Sequence, residues 1–378
     1  LFRSGVAYLK VKEGTTSITY TEAQIKKLAE DINTAMKRTE NPLTLTSAGN
    51  AVASGGSATI NVTEKGLYFV DTTLGSVCSI DTAGAAEIYE KNTAPSITKE
   101  VQEDTNSNWY TATETEGLTV GVATAALDDT VHYRMTVNTG TNSHATVNGV
   151  DDVYTIVDTL PAEMAYVAGT AATTTSGVTV GTTNAVWDAD AHTLTITLAA
   201  TEIAALGKDA DIVITYDATF TDTAVGNTTY TNNVTLTYKA QESSSSASVK
   251  SYEFEIDKTN AGGNTLDGVV FTVQRADGKY LNASGKWVTV AEGADAPELT
   301  TADGGKIVVS GIDDETYTVT ELRTLDGYNL LDAPISVTVA LDGAVTVASG
   351  DATASGTAIT VVNQSGTVLP STGGIGTT

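Results

Sequence analysis

Three polar side chains interrupt apolar faces in the middle of the chain, and together they could make an amide. Lys99 alternates in phase with Ile97 and Val101, Asp158 with Tyr154, Ile156 and Leu160, and Asn232 with Tyr230, Val234, Leu236 and Tyr238. Side chains on a strand alternate between faces, so each of the three points inward if its apolar neighbours do. Burying any one of them singly is costly. Together they make chemical sense, because desolvation lowers the pKa of a lysine and raises that of a carboxylic acid. A neutral amine can attack the side-chain carbonyl of asparagine. A protonated carboxyl can polarise that carbonyl and relay protons, and ammonia leaves. The product is a Lys–Asn isopeptide bond, which needs no external enzyme because positioning supplies most of the rate. Asn233 is the rival of Asn232, and its outward parity favours Asn232. The same residue types recur near the end of the chain. Lys258 shares a face with Phe254 and Ile256, Glu321 with Tyr317 and Val319, and Asn363 with Ile359 and Val361.

Such trios need strands to hold them. Alternating runs occur at 97–101, 131–137, 153–160, 194–198, 212–216 and 230–238, separated by turn residues, and this pattern argues for a β-sandwich over residues 94–240. The serines at 243–246 read as a flexible polar linker. A second β-module is expected over 247–365, with strands at 252–258, 266–273, 317–321 and 359–363. Ahead of both lies a module over residues 1–93 with one convincing helix, Thr21 to Met36. Thr21 can cap it, Glu22 suits the first turn, and Ile25, Leu28, Ala29, Ile32 and Met36 form one apolar stripe. Strands at 57–62 and 66–71 complete this module, and 366–378 is a tail.

The totals fit an all-β chain. At 378 residues it should hold roughly two to four domains. Helix formers are scarce, whereas Thr, Val, Gly and Ala abound. A net charge of −26 argues against nucleic acid and anionic membranes as partners. With Cys78 alone, no disulfide can staple the fold. His132, His144 and His192 lack metal-type spacing, so no metal and no cofactor is expected; oxygen-ligand sites for a hard cation leave weaker patterns. No Ser-His-Asp order or nucleophile elbow supports a secreted hydrolase, and the only chemistry expected is internal and single-turnover.

The tail carries Leu369-Pro370-Ser371-Thr372-Gly373 behind a polar spacer. Pro370 fixes φ, lacks an N–H and pushes Leu369 towards an extended conformation, which suits the groove of another enzyme better than a packed core. The pentapeptide resembles the L-P-x-T-G signal that Gram-positive sortases cleave between Thr and Gly. Such a signal normally continues into an apolar helix and a basic tail. Neither these nor a signal peptide is visible, so the sequence is read as trimmed at both ends.

Residues 86–92, Ala-Glu-Ile-Tyr-Glu-Lys-Asn, resemble the pilin motif of sortase-assembled pilus subunits, with Glu90 where the family has Pro. The resemblance implies that the amine of Lys91 attacks the acyl-enzyme formed on Thr372 of a neighbouring subunit. Residues 94–240 resemble the CnaA-like isopeptide domains of pilins. Residues 247–365 resemble the CnaB domain, whose E-box is matched by Tyr317, Glu321, Gly327 and Tyr328, with Leu325-Asp326 replacing the usual Ala-Pro. That likeness implies a Lys258–Asn363 bond assisted by Glu321, beside a Lys99–Asn232 bond assisted by Asp158.

The family, a Gram-positive sortase-assembled backbone pilin, implies an elongated tandem of Ig-like sandwiches on the cell surface, anchored to the wall. Its implied partners are further copies of itself in a covalent filament, a pilus-building sortase, minor pilins and host surface ligands. A wall-anchored adhesin or a basal pilin built from the same modules is the alternative, in which Lys91 would be inert.

Overall fold

The computed structural model describes residues 22–36, 38, 40, 42–52, 58–63, 67–71, 77–81, 93–112, 122–141, 153–239 and 241–366. The N-terminal helix spans Glu22–Met36 and lies against the strand Val77–Asp81, which pairs antiparallel with Leu67–Asp71. Leu28, Ala29, Ile32 and Ala35 are its buried stripe. Met36, expected in that stripe, is only half-buried, because Ala35 takes its place one position earlier. The expected strand at 57–62 does not form over its described part. Residues 58–63 have no regular structure and Ile60 is 44 % exposed. No described strand pairs with this segment, so alternation alone cannot satisfy its backbone groups. Among the described residues, no helix is long and apolar enough to cross a membrane.

The middle of the chain forms two sheets around one core. One sheet runs in the order Ala185–Asp188, Thr193–Leu198, Tyr154–Thr159, Thr228–Tyr238 and the first half of Gln241–Asn260. The other runs Trp109–Tyr110, Ser96–Gln102, Thr130–Asn138, Asp211–Phe220 and Met164–Tyr166. Tyr133, Met135, Tyr154, Ile156, Ile214 and Leu236 are among the buried residues between them. A short helix, Ala200–Leu206, connects two strands and buries Ile203.

Gln241–Asn260 is a single strand of 20 residues, and it corrects the expectation of a flexible linker at 243–246. Ser243 to Ser246 pair in register with Leu236 to Asn233. Their hydroxyls supply the reason. Ser243 Oγ accepts from the Ile97 N–H at 3.1 Å and Ser245 Oγ from the Lys99 N–H at 2.9 Å, while Ser244 Oγ meets Thr235 Oγ1 at 3.0 Å. Serine composition signals flexibility only where the hydroxyls lack such partners. The same strand enters the last part of the chain, where it lies between Lys306–Ile312, antiparallel, and Ala358–Asn363, parallel. The division between the two cores falls inside this strand, between Val249 and Tyr252.

The C-terminal core closes under a second sheet, ordered Trp287–Val288, Tyr280–Leu281, Val270–Gln274, Thr316–Arg323, Ile335–Val339 and Val345–Ala348. The strand expected from 266 begins at Val270. The two cores meet closely. Gly311, at φ 72°, donates no side chain here, and a Cβ would lie 2.9 Å from Leu127 Cδ1. Its carbonyl accepts from the Leu127 N–H at 3.2 Å. Arg275, nearly buried, reaches Asp128 at 2.8 Å and Asp129 at 3.2 Å across the junction, and Lys279 reaches Asp128 at 2.7 Å. With the shared strand, these contacts join the two sandwiches along one continuous backbone.

Candidate functional site

Two buried constellations sit in the two sandwiches. In the middle one, Lys99 comes from the sheet containing Ser96–Gln102, while Asp158 and Asn232 come from adjacent strands of the opposite sheet. All three side chains are fully buried, whereas Asn233 is exposed. The apolar residues flanking each polar one fix its inward orientation, as strand periodicity requires. Lys99 Nζ donates to Asp158 Oδ2 and, at 2.8 Å, to the hydroxyl of Tyr216. Tyr216 donates to Asp158 Oδ2 at 3.0 Å and accepts from Asn232 Nδ2 at 2.6 Å. Burial, outweighing the pull of the partner charge, lowers the Lys99 pKa and raises that of Asp158. Both shifts favour a neutral amine beside a neutral acid. Asp158 Oδ1 and Asn232 Oδ1 are buried without a hydrogen-bond partner among the described residues.

In the C-terminal sandwich, Lys258 and Asn363 lie on neighbouring parallel strands, in the register Lys258↔Val361 and Asn260↔Asn363. Lys258 Nζ donates to Asn363 Oδ1 at 2.6 Å and to the Val361 carbonyl at 3.1 Å. The amine is therefore hydrogen-bonded to the oxygen that the amide carbon carries. Glu321 faces this pair from the opposite sheet. Its Oε1 lies 3.8 Å from Lys258 Nζ and accepts from Asn363 Nδ2 at 2.9 Å, and its Oε2 accepts from the Leu331 N–H at 2.9 Å. Thr324 Oγ1 also accepts from Asn363 Nδ2, at 2.6 Å. Burial lowers the Lys258 pKa to about 8, against the opposing effect of Glu321.

Sequence reasoning passed over two of these groups. Tyr216 follows Ile212 and Ile214 in phase and so reads as an ordinary core aromatic. Thr324 lies beyond the end of its strand, Thr316–Arg323, where face parity gives no guidance. Lys91 and Leu369-Pro370-Ser371-Thr372-Gly373 lie outside the described residues.

A third cluster lies where the sandwiches meet. One carboxylate oxygen from each of Glu103, Asp104, Asp313 and Asp314 comes within 4.8 Å of the others. Carboxylates are the donors a hard cation takes, and protonation is the other answer to the same repulsion. Burial, chiefly, pushes Glu103 up to about 7 and Asp313 up to about 9. Glu103 Oε2 accepts from the Thr124 N–H at 2.6 Å, and Asp314 Oδ1 accepts from Thr124 Oγ1 at 2.9 Å.

Both folded-state values lie above the ordinary carboxylate range, so the folded state binds more protons than the unfolded one between about pH 4 and pH 9. Stability from this cluster is present at low pH and lost as pH rises through the folded values. The melting temperature of the joined sandwiches should fall between pH 5 and pH 9, and Asp313→Asn should flatten that slope. An unchanged slope in Asp313→Asn would remove the cluster as its cause.

The sequence profile of the prealbumin-like fold domain SpaA matches residues 252–353. No curated protein sequence matches the chain. The structure overlays that of a backbone pilin of Streptococcus pyogenes with a TM-score of 0.52 at 17 % identity, covering 88 % of this chain and 73 % of that one. It overlays the full-length major pilin RrgB of Streptococcus pneumoniae with a TM-score of 0.52 at 15 % identity, covering 77 % and 78 %. A group B streptococcus pilus backbone protein gives 0.48 at 24 % identity, covering 66 % and 97 %. At these identities the likeness is one of fold. The chain thus matches the SpaA prealbumin-like domain over residues 252–353 and is similar in fold to streptococcal backbone pilins.

Proposed function

We propose that this chain is a structural subunit of a Gram-positive surface pilus, locked internally by two Lys–Asn isopeptide bonds and joined covalently to its neighbours by a sortase. The observation that carries the reading is the pair of buried lysines, each in a sandwich core with an asparagine and a carboxyl group. A buried lysine without such a purpose is a costly feature, and two in equivalent settings are harder to explain by packing. The fold likeness to backbone pilins supports the same reading.

In the middle sandwich, neutral Lys99 attacks the Asn232 carbonyl carbon. A proton on Asp158 Oδ1 would give both partnerless oxygens, its own and Asn232 Oδ1, the hydrogen bond they lack. In the C-terminal sandwich, Glu321 takes the proton released by Lys258 and passes it to Asn363 Nδ2, with which it is already hydrogen-bonded. Each reaction expels one ammonia and runs once, so the protein is not an enzyme in the turnover sense.

Because the reactive form of Lys258 is the free amine, its reaction should quicken about tenfold per pH unit up to pH 8 and then level off. The time course of cross-linking in freshly translated chain, followed by mass at several pH values, measures this. A rate independent of pH between 6 and 8 would contradict it.

Between subunits, Thr372 of one chain is joined to Lys91 of the next. Such head-to-tail joining does not close on itself and yields a filament. Incubation with a pilus-building sortase should produce a ladder of oligomers that survives boiling in detergent, and Lys91→Ala should abolish it. A ladder unchanged by Lys91→Ala would assign the acceptor to another lysine, and no ladder with any pilin sortase would favour an anchored adhesin.

A further inference from the structure

The geometry points to Tyr216 as a catalytic residue of the middle cross-link: its hydroxyl delivers the proton that lets ammonia depart from Asn232. The inference rests on the isopeptide reading above and adds to it a group for the leaving step. Amide formation moves one proton, from the attacking nitrogen to the departing one. In the C-terminal sandwich one carboxylate serves both ends, since Glu321 Oε1 is 3.8 Å from Lys258 Nζ and 2.9 Å from Asn363 Nδ2. In the middle sandwich the hydroxyl of Tyr216 stands between them. It touches all three members of the trio: Lys99 Nζ at 2.8 Å, Asp158 Oδ2 at 3.0 Å and Asn232 Nδ2 at 2.6 Å.

The bookkeeping closes on these atoms. As Lys99 Nζ bonds to the side-chain carbonyl carbon of Asn232, the proton on Asp158 Oδ1 passes to Asn232 Oδ1, and the attacking nitrogen then gives a proton to Oδ2 of the carboxylate so formed. That oxygen then donates to the Tyr216 oxygen, and the tyrosine O–H turns to Asn232 Nδ2. The carbon–Nδ2 bond breaks as Nδ2 takes the tyrosine proton and leaves as ammonia. Tyr216 takes the proton from Asp158 Oδ2, the carbonyl re-forms as its oxygen returns the borrowed proton to Asp158 Oδ1, and both groups end in their starting forms. Nothing is oxidised or reduced.

The surroundings suit a relay. Tyr216 is almost fully buried, and its ring stacks on Tyr133 with centroids 5.3 Å apart and planes 22° apart. Stacking fixes the ring, so the hydroxyl stays in place while its proton moves. Burial, with the Asp158 and Tyr133 charges adding to it, keeps the phenol protonated far above its ordinary range. The hydroxyl therefore acts as a donor that is refilled, never as a standing anion.

The test is Tyr216→Phe in the full chain, which keeps the ring and removes the oxygen. Cross-linking is timed in freshly translated protein by mass, with the Lys99–Asn232 and Lys258–Asn363 peptides scored separately after digestion. General acid–base groups contribute about 10²–10⁴-fold, so the middle bond should form at least about 100-fold more slowly while the C-terminal bond forms at the wild-type rate. Formation of the middle bond in Tyr216→Phe at the wild-type rate would overturn the role of Tyr216 and leave the cross-link standing. Absence of the middle bond in wild type would overturn both. Should Tyr216→Phe lose cooperative unfolding, the wild-type rate in mixtures of light and heavy water decides. A bowed dependence on deuterium fraction, from several protons in flight, supports the relay, and a straight line overturns it.

Discussion

Lys258→Ala should melt the C-terminal sandwich about 15–40 °C below the wild type. The cross-link at Lys258 and Asn363 spans 105 residues. In the chain-entropy model for a covalent bridge, closing a loop of that size stabilises by roughly 4–5 kcal/mol. For a domain of about a hundred residues each kcal/mol shifts melting by about 4–8 °C, which gives the stated range. Alanine removes the amine altogether, and Glu321 keeps its hydrogen bonds from Asn363 Nδ2 and the Leu331 N–H, so the loss of the bridge dominates. Asn363→Ala should be worse, because it strands the buried Lys258 amine beside Glu321 without its asparagine. Calorimetry on the two variants separates these effects. A Lys258→Ala chain that melts with the wild type would mean that no bond is made there.

The second large effect is mechanical. A chain pulled between its ends transmits force along covalent bonds wherever they offer a shorter path. With both cross-links made, force bypasses residues 99–232 and 258–363 and crosses the two isopeptide bonds instead. The stretch left between them is Asn232 to Lys258, mainly the hairpin formed by Thr228–Tyr238 and Gln241–Asn260. Single-molecule extension of wild type with handles at residues 94 and 366, which leaves the N-terminal module out of the force path, should therefore yield at most roughly 90 Å from this hairpin, at about 3.5 Å per residue. Lys258→Ala should add a further step of roughly 350 Å as the C-terminal sandwich unravels. A step of that size in wild type would contradict the account. The serines at 243 and 245 bear on the same region, since they bond the hairpin to the backbone of the Lys99 strand.

Strand periodicity made much of this arrangement readable in advance. A strand residue has two faces to choose from, and long apolar neighbours settle the choice, so the inward positions of Lys99, Asp158, Asn232, Lys258, Glu321 and Asn363 follow from spacing alone. Where the outcome depended on contacts distant in sequence, spacing failed. The serine run is a strand because its hydroxyls meet N–H groups some 146 residues away. Tyr216 carries the same alternation whether it is a packing aromatic or the hub of three hydrogen bonds. The acidic cluster joins Glu103 and Asp104 to Asp313 and Asp314, which only the docking of two sandwiches brings together. In the N-terminal module the alternating residues near Ile60 have no partner strand among the described residues, and local pattern without pairing makes no sheet.

The mass of the intact, folded chain tests the central claim most directly. If both lysines have condensed with their asparagines, the protein weighs about 34 Da less than its sequence, and digestion releases two branched peptides, one joining Lys99 to Asn232 and the other Lys258 to Asn363. A mass equal to that of the sequence, with Lys99 and Lys258 recovered in linear peptides, would contradict it.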